Sequence, residues 1–97
     1  RLESLQPVRR DFAFLVNAEV QAGDLLRAAR GADRDVITDV ALFDVYEGKN
    51  VEEGKKSLAI QATLQPTDAT FTDAEIEEFS AKIVAAVEKA TGGALRG

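Results

Sequence analysis

From Lys55 to Gln65 the chain alternates between two kinds of side chain. Leu58, Ile60, Ala62 and Leu64 share one parity, and Ser57, Ala59, Gln61 and Thr63 share the other. Successive side chains of a strand point to opposite faces, so one face of this strand is built for burial and the other is small and polar. The chain is therefore expected to make a sheet covered on one side and open on the other. An open polar sheet face is a place where a ligand can lie. The cover is also visible. Ile76, Phe79, Ile83, Val87 and Ala90 recur at three- and four-residue spacing, which predicts an amphipathic helix. Thr72 and Glu75 form a capping box at its start, and Gly92-Gly93 end it.

The remaining elements follow from shorter signals. Leu2 to Pro7 reads as a linker, because Pro7 disfavours helix at Gln6. Arg10 to Asn17 reads as a strand carrying Phe12, Phe14 and Val16. Val20 to Arg30 reads as a helix with Leu25, Leu26 and Ala29 at helical spacing, closed by Gly31. Val36 to Glu47 is a second strand, with Ile37, Ala41, Phe43 and Val45 expected on one face and Val40, Leu42, Asp44 and Tyr46 on the other. Glu47 to Gly54 is a polar hairpin loop, and Ala94-Leu95-Arg96 a last short strand. The order strand, helix, strand, strand, helix, strand predicts an α+β fold. It is the ferredoxin-like split βαβ sandwich, a four-stranded antiparallel sheet with two helices on one face. With 97 residues the chain has room for one core. It opens on Arg1 and contains no Met, so it is expected to be a piece of a longer protein, residues 1–8 being linker and 9–97 the domain.

Composition removes several chemistries. Without Cys there is no disulfide or thiolate metal site. Without His, the commonest general base and zinc ligand is gone, and no Ser-His-Asp or Cys-His site can be built. The remaining carboxylate, Lys, Arg, Tyr and hydroxyl groups form no catalytic motif. The net charge of −5 argues against nucleic-acid binding by bulk charge, though a local basic patch on an acidic body is compatible with it. No apolar run approaches the roughly 20 residues that span a bilayer.

Five strings now matter together. Arg9-Arg10-Asp11-Phe12 opens the first strand, and Leu42-Phe43-Asp44-Val45-Tyr46-Glu47-Gly48 ends the second. Gly54-Lys55-Lys56-Ser57-Leu58-Ala59-Ile60 opens the third, Thr70-Phe71-Thr72-Asp73-Ala74-Glu75-Ile76 opens the second helix, and Gly93-Ala94-Leu95-Arg96 closes the chain. In this order, over about residues 7 to 96, they resemble the anticodon-binding domain at the C-terminus of bacterial phenylalanyl-tRNA synthetase β chains. One departure is Ala69, where the family usually has an Arg before the Thr matching Thr70. If the family's Arg contacts RNA, that contact is lost or relocated here; a missing structural salt bridge is an equally good explanation.

The resemblance implies a module that holds the anticodon stem-loop of tRNA(Phe) and performs no catalysis itself. The parent would join phenylalanine to its tRNA with ATP and magnesium, in an α2β2 cytoplasmic enzyme whose partner α chain is catalytic. No cofactor is expected in the domain itself. Two other ferredoxin-like functions fit poorly. An amino-acid-sensing regulatory domain wants a Gly-rich turn after the first strand, and Asn17-Ala18-Glu19-Val20 has none. An acylphosphatase-like enzyme wants a phosphate-cradling loop at the same place.

Candidate RNA-binding residues are Arg10, Asp44, Tyr46, Lys49, Lys55, Lys56, Ser57 and Arg96. Tyr46 is the only Tyr, a ring to stack on an unpaired base, with Asp44 accepting from a base amine. The bland reading makes Tyr46 a cover for the sheet edge and Asp44 a hairpin brace. Lys49, Lys55, Lys56 and Ser57 suit phosphate contacts, or else a solvated turn. Lys55 shares the polar parity with Ser57, whereas Lys56 leans to the helix side with Leu58. Arg9 and Arg10 form a basic rim, to which Arg96 adds if the last strand forms beside the first, or else Arg10 pairs with Asp11 or a neighbouring carboxylate and Arg96 frays. The five Phe are read mostly as core, with Phe71 stapled to Ile76. The acidic stripe of the second helix is a solvated face that repels RNA toward the open side.

Overall fold

A computed structural model describes residues 5–96. The elements are β1 (Val8–Asn17), α1 (Ala22–Gly31), β2 (Ile37–Tyr46), β3 (Lys55–Leu64), α2 (Asp73–Thr91) and β4 (Ala94–Leu95). The sheet order is β2-β3-β1-β4, with every neighbouring pair antiparallel. This is the split βαβ sandwich that the sequence predicts.

Both helices pack on one face. Phe12, Phe14 and Val16 of β1 and Leu58, Ile60, Ala62 and Leu64 of β3 form one core cluster. Leu25 and Ala29 of α1, Ile37 of β2, and Ile76, Ile83 and Val87 of α2 complete it. Thr72 caps α2 as expected. Its hydroxyl accepts from the Glu75 N–H at 3.1 Å, and its own N–H donates to the Glu75 carboxylate at 2.9 Å. The Phe71 ring meets Phe79, with centroids 5.0 Å apart, where a staple to Ile76 was expected. β4 is a short fourth strand, its Leu95 and Ala94 paired with Phe14 and Leu15.

Element ends move by a residue or two. β1 begins at Val8, paired with Leu64, ahead of the expected Arg10. α1 begins at Ala22, because Asn17 to Val20 is a turn closed by a bond from the Val20 N–H to the Asn17 carbonyl at 3.0 Å. Gly31 lies inside α1 as its last residue, and Ala32 follows in right-handed geometry.

β2 departs further. Phe43 and Val45, expected inward, are 57% and 51% exposed. A bulge explains Phe43, whereas Val45 keeps the helix-side parity opposite Leu58 and is exposed near the end of β2. The register slips between Ile37 and Asp39 and again between Leu42 and Asp44. Each extra residue reverses which parity faces the core. Ile37, Val40 and Leu42 therefore all point to the helices, although Ile37 has the opposite parity. Phe43 occupies the second bulge.

Candidate nucleic-acid interface

The face opposite the helices is laid out in rungs by the register. One rung holds Leu15, Ser57 and Tyr46, with Ala94 beside Leu15 on β4. The next holds Ala13, Ala59 and Asp44. Arg96 extends that rung on the other side, its backbone N–H donating to the Ala13 carbonyl at 2.6 Å. Beyond lie Asp11, Gln61 and Ala41, then Arg9, Thr63 and Asp39. Neighbouring strands are about 4.8 Å apart, so Arg96 and Asp44 face each other across about 14 Å with only alanine methyls between them. The centre of the face is thus a low apolar floor with a Tyr at one end and charges at the edges.

The polar groups of this face are partly committed to one another. The Gln61 amide donates to the Asp11 carboxylate at 3.0 Å, and the Lys55 ammonium donates to the Asn17 side chain at 3.1 Å. Tyr46 donates its hydroxyl to the Lys49 carbonyl at 2.8 Å. That bond holds the ring against the hairpin and leaves it 39% exposed. Tyr46 braces the loop and still presents an open ring.

Not every candidate lies on this side. Asp44, Tyr46, Lys55 and the Arg96 backbone position belong to the open face, with Lys49 in the adjoining loop. Arg10 and Lys56 are opposite Ala62 and Val16, on the helix-covered parity. Of the two arginines expected at the rim, only Arg9, opposite Thr63, is on the open face. The expected pair of Arg10 with Asp11 is replaced, because adjacent strand residues point apart. Arg10 donates to the Arg9 carbonyl at 3.0 Å instead, and Asp11 engages Gln61. Ser57 has the right face but is only 5% exposed, enclosed between Leu15 and Tyr46. Its hydroxyl cannot meet a phosphate while Tyr46 stays in place. The alanine floor went unread in the sequence, although the alternation through Phe12 and Phe14 already places Ala13 outward.

The electrostatics favour this side for an anion. Arg9, Lys55 and Arg96 balance Asp11, Asp39 and Asp44 on the open face. α2 carries Asp73, Glu75, Glu77, Glu78 and Glu88 against Lys82 and Lys89 on the far side of the molecule. A polyanion is steered away from α2 and toward the sheet. Among the described residues, no group of three or more His, Cys, Asp or Glu is placed to hold a metal ion. No described helix is long and apolar enough to cross a membrane.

A family model, the ferredoxin-fold anticodon binding domain, matches residues 4–96. The chain belongs to that family. It is similar to the phenylalanine–tRNA ligase beta subunit of Bradyrhizobium diazoefficiens, 58% identical over 95 residues that make up 98% of this chain and 12% of that subunit. It is likewise similar to the same subunit of Paramagnetospirillum magneticum, 60% identical over 97 residues, or 100% of this chain and 12% of that subunit. In Rhodospirillum rubrum the identity is 59% over 95 residues, with 98% and 12% coverage. The chain thus spans 12% of the length of these curated relatives.

Proposed function

We propose that this chain binds the anticodon stem-loop of a phenylalanine tRNA on its open sheet face, as part of the β chain of a phenylalanine–tRNA ligase. The observation that carries the reading is the family match across residues 4–96, on a fold whose uncovered face has an alanine floor and an exposed Tyr. Unpaired loop bases splay out, stack on aromatic rings and are read on their edges. Here a base would lie over Ala13 and Ala59, stack against Tyr46 and donate an amine to Asp44. Arg9, Lys55, Lys49 and Arg96 would approach phosphates at the margins of the face. Arg10 and Lys56 serve the helix side in this reading. Ser57 supports Tyr46 from beneath.

The parent reaction, joining phenylalanine to its tRNA with ATP and magnesium, would take place on the partner α chain of an α2β2 cytoplasmic enzyme. This chain's part is to hold one end of the tRNA so that the other end is positioned. The residues before β1 would lead in from the rest of the parent.

Titrating the chain with a phenylalanine tRNA anticodon stem-loop, against a scrambled loop, tests the proposal. Saturable binding that prefers the cognate loop is expected. Tyr46→Ala should weaken it by roughly 1–3 kcal/mol, the usual worth of one stacked base. Equal binding of both loops, indifferent to Tyr46→Ala, would sink the reading.

A further inference from the structure

The body carries a net charge of −5, and three of its surface hollows are lined to match. One is bordered by Arg10, Asp11, Glu77 and Glu88, a second by Glu47, Glu52, Glu53 and Lys55, a third by Asp68 and Glu75. Each has two negative charges in excess. A fourth, of about 400 Å³, lies between α1 and β2 and is lined by Leu26, Arg27, Arg30, Arg34 and Val40. It has three positive charges and no carboxylate in its lining. Arg27 pairs with Asp24 on the helix surface, where both side chains are well exposed and the pair is readily exchanged. Arg30 and Arg34 make no ion pair or side-chain hydrogen bond among the described residues, and both are exposed. Of the two acids flanking Arg34, Asp33 is engaged by Lys82 at 3.3 Å, and Asp35 lies outside the lining of the cleft.

Three guanidinium groups over an apolar floor of Leu26 and Val40 suit a phosphodiester. The fork of each guanidinium matches phosphate oxygens, and the floor accepts the sugar edge. The position matters as much as the charge. β2 is one of the two edge strands of the sheet. Val40 turns to the helix side of that edge, while Asp39, Ala41, Asp44 and Tyr46 turn to the open face. A strand rises about 3.3 Å per residue, so Val40 and Tyr46 are separated by about 20 Å along the same edge. We infer that the Arg27–Arg30–Arg34 cleft is a second RNA contact, which grips backbone phosphates of the stem as the nucleic acid passes over the β2 edge from the open face. The inference rests on the open-face reading and adds a site that carries affinity without reading bases.

The test uses two RNAs, the full anticodon stem-loop and a single-stranded heptamer of the loop alone, and two variants, Arg30→Gln/Arg34→Gln and Tyr46→Ala. Both arginines are exposed and unbonded, so the double variant keeps its thermal unfolding midpoint. It should bind the full stem-loop about tenfold more weakly and lower the slope of log affinity against log salt by about 2, one per phosphate contact removed. Heptamer binding should stay at the wild-type level, whereas Tyr46→Ala weakens both RNAs. Unchanged stem-loop affinity and slope in the double variant, alongside a weakened Tyr46→Ala, would overturn the cleft and leave the open face standing. Equal losses on the heptamer and the stem-loop would also overturn it, because the arginines would then act through net charge alone. Absence of wild-type binding to either RNA would remove the open-face reading and the cleft with it.

Discussion

Adjacent glycines after α2 do different work. Gly92 adopts φ 74°, the left-handed cap of the helix, with nothing within 4 Å of where a Cβ would stand. Gly93 has ordinary backbone angles and no room. A Cβ there would lie 2.6 Å from Val16 Cγ1 and 2.8 Å from the Leu15 carbonyl. Val16 is buried and the carbonyl is backbone, so neither can give way freely. Gly92→Ala should cost about 1 kcal/mol, the left-handed penalty. Gly93→Ala should cost more, about 1–3 kcal/mol from overpacking, and urea denaturation of the two variants should rank them so. The sequence shows both only as a helix stop. Tyr46 separates by a subtler change. Tyr46→Phe keeps the ring and removes the bond to the Lys49 carbonyl, so stability should fall by about 1 kcal/mol. RNA affinity should stay near the wild-type value, in contrast to Tyr46→Ala.

At the scale of elements, α2 was legible because its signals are local. A capping box needs only residues three apart, and both of its bonds form. Thr72→Ala should therefore cost about 1 kcal/mol, with faster hydrogen exchange confined to the first turn of α2. β2 was misread because its signal is not local. Simple alternation puts Phe43 inward, but a bulge is chosen by the pairing with β3, and the bulge releases Phe43 to solvent. Phe43→Ser should leave stability within about 0.5 kcal/mol of wild type. Phe14→Ala, at a fully buried ring, should cost about 3–5 kcal/mol. Thermal or urea unfolding of the pair distinguishes two residues that look alike in the sequence.

The whole molecule divides its charge between its two sides. The acidic helix α2 and the balanced sheet face lie on opposite sides of one core. Glu77→Gln/Glu78→Gln should raise affinity for the scrambled and the cognate loop by the same factor, leaving the preference measured in paired titrations unchanged, because the steering is sequence-blind. The chain by itself determined that the sheet has one buried and one open face, that a long capped helix covers it, and that imidazole and thiolate chemistry is absent. Those properties belong to composition and to residues close in sequence, where periodicity and capping act. Tertiary structure alone decided that Arg9 sits beside Thr63, that Ser57 is enclosed, and that Arg96, Ala13, Ala59 and Asp44 form one rung. It also decided that three arginines of α1 and the following turn close over Val40. Cross-strand register and bulges bring these groups together from distant parts of the chain, and the packing of the whole sheet, not the identity of sequence neighbours, selects that register.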